Sequence, residues 1–236
     1  MAHRLILRIF KGTTESQFHG LVEDLAREMS ATLRWGVRGV GRADFRLSTQ
    51  GDVHSIFLPN QKGDFPFMEK LGRKSGLPWI ELRIQEGAIW DYALYQGDQC
   101  VDLFSVCPQY WSDPPQLTVF SYGSSLKRMV FEAFGSRRYD DMDERLAEWK
   151  GKPAVLAELW GLPKARIERY LVNWGIATDP KEHTFQFTLS GRAYPDDQFE
   201  YGNYEQFFDM LRVLGGKEPL DLHTLELSGG DQKNVA

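Results

Sequence analysis

Apolar and polar residues alternate along the stretch from Pro78 to Pro108. Ile80, Leu82 and Ile84 are interleaved with Glu81, Arg83 and Gln85, the period-2 pattern of a strand with one buried face. Trp90, Tyr92 and Leu94 resume the alternation after Glu86-Gly87-Ala88, and Val101 and Leu103 after Gly97-Asp98. A Gly-Asp pair suits a two-residue type II′ hairpin with glycine first, which sets Leu94 opposite Val101, Tyr92 opposite Leu103 and Ala93 opposite Asp102. At the earlier turn a two-residue loop would set Leu82 against Asp91. A three-residue loop sets Ile84 opposite Trp90, Leu82 opposite Tyr92 and Ile80 opposite Leu94, and so keeps one face apolar. The pattern predicts an antiparallel three-stranded meander over residues 79–106. One face carries Ile80, Leu82, Ile84, Trp90, Tyr92, Leu94, Val101 and Leu103, and the other carries Arg83, Asp91 and Asp102.

The rest of the chain reads in the same way. Residues 4–10 alternate as a strand. Thr14-Glu15-Ser16-Gln17 is a capping-box signature, and the Phe18, Leu21, Val22, Leu25 and Met29 stripe behind it predicts an amphipathic helix ending near Ser30–Leu33. Residues 43–48 and 53–58 read as a hairpin across Gly51-Asp52, followed by a short helical piece near Phe67–Leu71. After the turn-rich segment Pro108–Gln116 come a strand at Leu117–Ser121 and a short helix from Ser124 or Ser125 to Phe134. Residues 140–174 read as helical in two or three pieces, with Pro153 and Pro163 in first-turn positions and Gly151 and Gly161 at helix ends. Residues 184–190 alternate as a late strand. Tyr204–Leu214, with Phe207, Phe208, Leu211 and Leu214, reads as an amphipathic helix closed by Gly215-Gly216. Residues 224–236 read as a frayed tail.

Strands first, helices later and one strand returning predict an α+β fold. An antiparallel sheet built on the central meander is packed by the N-terminal amphipathic helix and a helical C-terminal half. The 236 residues read as a single domain with a soft boundary near 108–116. A hydrophobic content of 42% supports a sizeable core and excludes a disordered chain. The net charge of −5 is spread along the sequence and argues against general affinity for nucleic acid or an anionic membrane. No apolar run approaches the ~20 residues of a membrane span. The N-terminal run lacks a small-residue cleavage site and alternates like a strand, so it does not read as a signal peptide. The two cysteines, Cys100 and Cys107, lie on or beside one strand, and the expectation is a reduced, cytoplasmic protein without a cofactor.

Four places invite a chemical reading. Arg83, Asp91 and Asp102 fall on one predicted sheet face, where two carboxylates within ~7–8 Å would share a proton or hold a divalent cation. The competing reading is a cross-strand Arg83–Asp91 ion pair on a polar outer face. The segment 153–174 has Ala157, Gly161 and Ile167 at helix-turn-helix spacing, with Ile167, Tyr170, Leu171 and Trp174 as the buried stripe of a second helix. Arg166, Arg169 and Asn173 would share its outer face. Over these residues the chain resembles the helix-turn-helix superfamily, and that resemblance implies base-edge contacts from those three side chains. The acidic segment before it (Asp140, Asp141, Asp143, Glu144, Glu148) and Glu168 oppose duplex DNA binding, and a helical hairpin capping a sheet produces the same pattern. The glycines of GVRGVGR (36–42), with Arg34, Arg38, Arg42 and Arg46 nearby, match neither dinucleotide nor phosphate-loop spacing and read as a connecting loop.

The fourth is YPDDQFEYGNY (194–204), which sets Asp196, Asp197 and Glu200 among Tyr194, Phe199, Tyr201 and Tyr204. Interface cores are enriched in aromatic side chains, so this loop is the first choice for a contact surface with another protein. The five histidines (3, 19, 54, 183, 223) have no metal-ligand spacing, and no nucleophile motif is present. The expected function is therefore a non-catalytic protein-binding module, of the immunity or scaffolding kind by analogy. The alternatives are an enzyme using Asp91 and Asp102 and a DNA-binding regulator using 164–174.

Overall fold

The computed structural model describes residues 5–36, 44–57, 66–85, 89–108, 129–130, 147–174, 176–179, 184–219 and 221–227. It has an α+β fold with antiparallel sheet. The chain divides into two compact units. The first holds Ile6–Ile80, Tyr95–Gln99 and Gly215–Ala236, and the second Met1–Leu5, Glu81–Leu94 and Cys100–Leu214. The chain thus passes from one unit to the other inside the meander and again after Leu214. The expected boundary segment lies, beyond Pro108, outside the described residues, as do the expected strand Leu117–Ser121, most of GVRGVGR and the acidic run 140–144.

In the first unit β1 (Leu5–Lys11), β2 (Ala31–Arg34), β3 (Asp44–Gln50), β4 (Val53–Phe57) and β11 (Asp221–Leu227) follow the order β2-β11-β3-β4-β1. The β3–β4 hairpin turns at Gly51-Asp52 as expected, with Gln50 paired to Val53. Helix α1 (Glu15–Glu28) starts at the capping box: the Gln17 N–H donates to Thr14 Oγ1 at 3.3 Å and the Thr14 N–H donates to Gln17 Oε1 at 3.1 Å. Its buried stripe, Phe18, Val22, Leu25 and Ala26, packs with Phe10, Phe45, Leu47 and Ile56 of the strands and with Phe67, Met68 and Leu71 of α2 (Pro66–Ser75). Within this core the meander contributes Trp79, with Tyr95 packed against it.

Two strands of this unit escaped the sequence reading. The helix stops at Glu28, Ser30 takes a φ of 53°, and Ala31–Arg34 forms β2 where a last helical turn was expected. Residues 224–227 are not frayed. They complete β11, which pairs antiparallel with β2 (Leu225 with Leu33) and with β3 (His223 with Phe45). Hydrogen bonding to two strands from the other end of the sequence holds this segment, and a local pattern cannot report such pairing.

His54 of β4 is fully buried and stacks on Phe18 at 4.2 Å between ring centroids. Its Nε2 lies 3.1 Å from the Thr13 carbonyl, which only accepts, so Nε2 carries the proton and Nδ1 accepts from the Thr49 hydroxyl at 3.1 Å. Burial pushes the imidazole pKa down, against the smaller opposing pull of the Thr13 carbonyl. Above the unfolded pKa of about 6.5 both states are neutral and the fold has its full stability. As pH falls through that value and then the lower folded one, the unfolded chain takes up the proton first and stability is lost. Chemical denaturation at pH 7.5 and pH 5 is expected to show a lower midpoint at pH 5. A His54→Leu variant should lose less between those two pH values than the parent does.

The strands β5 (Pro78–Gln85), β6 (Ile89–Gln96) and β7 (Gln99–Ser105), most of whose residues belong to the second unit, are neighbours in that order. Arg83 Nε donates to the Asp91 carboxylate, the cross-strand meeting that the three-residue loop requires. The strands β6 and β7 stop and resume around Gly97-Asp98, and Gly97 has the positive φ (62°) of a type II′ first position. The far end of this pair departs from expectation. Val106 N–H donates to the Trp90 carbonyl at 3.2 Å, and the Phe104 ring lies 5.7 Å from that of Tyr92 and 5.1 Å from that of Trp90. Phe104 and Asp102 therefore share the face of Tyr92, while Val101 and Leu103 are only half-buried. One extra residue in β7, the mark of a β-bulge, separates the register at the turn from that at the far end. Trp90, Tyr92, Leu94 and Leu82 are buried as the apolar face required, and Leu103 is not among them.

Met129–Val130 forms β8, inside the segment read as a helix from Ser124 to Phe134. It pairs with β10 (Thr184–Phe187), which pairs in turn with β9 (Ile176–Asp179). A short apolar run satisfies helix and strand patterns equally, and here a distant ladder partner decides. Helix α3 (Pro153–Trp160) opens with its proline and ends at Gly161 in the left-handed conformation (φ 64°, ψ 34°), as read. Helix α4 (Gln206–Val213) buries Gln206, Phe207, Asp209, Met210 and Leu211.

Candidate functional site

The meander does not gather Asp91 and Asp102 into one site. Adjacent residues of a strand point to opposite faces, and the Tyr92 hydroxyl donates to Asp102 Oδ2 at 2.6 Å, so Asp102 lies on the face of Tyr92 and away from Asp91. The shifted β7 register is the cause. Asp91 is fully buried against Arg83, which also stands 3.7 Å from Glu81 and 5.7 Å from the centroid of the Trp149 ring. The face read as polar, and as either solvated or covered, is enclosed, and β6 is buried on both sides from Ile89 to Leu94.

Asp102 Oδ2 also accepts the Lys152 N–H at 2.8 Å, while Lys152 Nζ donates to the Val101 carbonyl at 3.3 Å. With Ser105 N–H donating to the Trp149 carbonyl (3.0 Å) and Gly151 N–H to the Leu103 carbonyl (2.9 Å), these bonds fasten residues 149–152 along β7. Burial raises the Asp102 carboxyl pKa, opposed by the Tyr92 and Lys152 donors, and burial raises the Tyr92 phenol well above its ordinary range. Desolvation, not a second carboxylate, causes the Asp102 shift. One donor is the Lys152 backbone, so the arrangement anchors the start of α3 to β7. Among the described residues no three His, Cys, Asp or Glu side chains form a metal-binding group.

The second helix of the helix-turn-helix reading does not form. Lys164–Arg166 make one 3-10 turn and residues 167–170 continue as turns, yet Ile167, Tyr170, Leu171 and Trp174 are buried as the stripe required. Short turns reproduce the spacing because tyrosines reach across to this segment. The Tyr194 hydroxyl donates to the Ala165 carbonyl at 2.6 Å and the Tyr201 hydroxyl to the Arg169 carbonyl at 2.7 Å. Arg166, Arg169 and Asn173 are exposed, but Arg169 lies over the Tyr194 ring at 5.5 Å and its Nη1 donates to the Ala193 carbonyl at 3.4 Å. No recognition helix exists to carry these three into a groove.

The aromatic loop of the second unit is held by hydrogen bonds at its neck, from within and from α4. Its ends meet where Tyr201 N–H donates to the Gly191 carbonyl at 2.7 Å. Inside, buried Asp197 accepts the Tyr194 N–H at 2.9 Å on one oxygen and the Tyr170 hydroxyl on the other. From below, buried Asp209 of α4 accepts the N–H groups of Gln198 (3.1 Å) and Phe199 (2.9 Å), one on each oxygen, and pairs with Arg212. Burial raises the phenol pKa values of Tyr170, Tyr194 and Tyr201, so all three hydroxyls stay protonated and able to donate. Tyr194, Phe199, Tyr201 and Tyr204 are half-buried, and Asp196 and Glu200 are exposed. Of the expected contact residues, Asp197 alone is buried. Asp209 and Tyr170 were missed. Asp209 gave no signal, since two residues after Phe207 it falls on the side of the predicted helix opposite Phe207, Leu211 and Leu214, where a carboxylate reads as solvated.

No helix among the described residues is long and apolar enough to cross a membrane. No family model, no curated protein and no solved structure matches this chain.

Proposed function

We propose that this chain is a non-catalytic module that binds another protein through the loop 194–204. One observation carries the reading: Tyr194, Phe199, Tyr201 and Tyr204 stay partly exposed on a loop whose backbone is already fixed by Asp197, Asp209 and the tyrosine hydroxyls. A surface ordered before its partner arrives loses little conformational entropy on binding, and rigid aromatic side chains give large contact area with few rotatable bonds. Asp196 and Glu200 supply an acidic rim. A reducing, cytoplasmic setting suits the module, since both Cys100 and Cys107 are free thiols.

The test is quantitative affinity capture from the natural source with the parent chain and with Phe199→Ala. The expected result is a specific protein retained by the parent and reduced by about tenfold or more with the variant, the effect of losing one aromatic hot spot. The thermal midpoint should fall by only about a few degrees, because the Phe199 side chain is half-buried. Equal capture by both proteins would sink the reading.

A further inference from the structure

The geometry points to a hinged flap: residues 191–202 open as one piece while the rest of the second unit stays folded, uncovering Asp209 and Gln206 on α4. The inference holds whichever partner the loop binds. Three features carry it. The hinge positions are glycines at both ends of the loop, Gly191 (φ 85°) and Gly202 (φ 83°), in the region where glycine moves without the penalty of a Cβ. The loop carries its own internal clasp in Asp197, and its neck is closed by the Tyr201 to Gly191 bond, so it holds its shape as a compact Ω-loop does. Among the described residues its backbone is joined to α4 through the Asp209 carboxylate, both oxygens accepting loop N–H groups, and its side chains are joined to residues 165–170 by the Tyr170, Tyr194 and Tyr201 hydroxyl bonds that opening must also break.

Beneath it the closed state carries a cost. Gln206 precedes Asp209 by three residues and so lies on the same side of α4. It is fully buried, and its amide oxygen and nitrogen have no hydrogen-bond partner among the described residues. Opening would hydrate that amide, which lowers the free energy of the open state relative to a loop lying over apolar side chains. Closing is thus favoured by the Asp209 latch on α4 and by the tyrosine bonds to residues 165–170, and opposed by Gln206.

Native-state hydrogen exchange of the full chain tests this without a mutation. The amides of Gln198 and Phe199 are expected to exchange through a local opening with little dependence on low denaturant, at least about tenfold faster than the amides of Tyr92 and Leu94. In Asp209→Asn, which keeps the size of the side chain but loses an anionic acceptor, exchange across 194–201 should accelerate further while β6 is unchanged. Exchange of Gln198 and Phe199 with the same denaturant dependence as Tyr92 would overturn the flap. So would acceleration in Asp209→Asn that spreads equally to β6.

Discussion

Tyr92→Ala is expected to remove about 4–8 kcal/mol of stability. A fully buried aromatic ring packed beside Phe104 leaves a cavity on truncation, costing about 3–5 kcal/mol. The Tyr92 hydroxyl is also the side-chain donor to buried Asp102, and stranding a buried polar group adds about 1–3 kcal/mol. Tyr92→Phe separates the two effects: it keeps the ring and should show only the second. Denaturant titration of the three proteins checks both, and a loss under about 1 kcal/mol for Tyr92→Ala would reject the packing described for this face.

Gly72→Ala is the second large effect, and here two forces oppose each other. In an exposed helix interior alanine is favoured over glycine by about 1 kcal/mol. Gly72 is buried in α2, however, and a Cβ there would stand 2.5 Å from Cε2 of the Trp79 indole and 2.6 Å from its Nε1. The indole cannot swing away, since it stacks on Tyr95 at 4.0 Å and its Nε1 donates to the Gly97 carbonyl at 2.8 Å. Overpacking against a held ring costs about 1–3 kcal/mol, so the net change should be destabilising, not stabilising. A double-mutant cycle with Trp79→Leu should remove the penalty and restore the gain from helix propensity. An increase in stability for Gly72→Ala alone would show that the indole is not held there.

The sequence was legible where one short-range rule decided the outcome. Thr14 and Gln17 mark the start of α1 because both ends of the capping box sit within one turn. Gly51-Asp52 and Gly97-Asp98 mark hairpins because turn chemistry is local. Pro153 and Gly161 bound α3 for the same reason. Legibility failed wherever a distant partner decided. The strands β2 and β11 pair with each other across most of the chain, and Leu222, Leu225 and Leu227 are not evenly spaced enough to announce a strand. The extra residue in β7 turned Asp102 toward Tyr92 and dissolved the expected carboxylate pair, an inversion that any one-residue slip imposes on a strand. Ile167, Tyr170, Leu171 and Trp174 were rightly read as buried, but burial spacing alone does not distinguish an α-helix from successive turns held by the Tyr194 and Tyr201 hydroxyls.

The loop illustrates both outcomes. Its aromatic content was visible in the sequence, and its partial exposure followed. The carboxylates that fix it were not, because Asp197 reads like its neighbour Asp196 and Asp209 lies on another element. Contact through this surface is the central claim, and site-specific photocrosslinking tests it most directly. A photoactivatable phenylalanine analogue would replace Phe199 in one protein and exposed Thr32 of β2 in another. The expected result is one discrete protein adduct from position 199, competed away by excess unmodified chain, and none from position 32. Absence of an adduct at 199, or the same adduct from both positions, would contradict it.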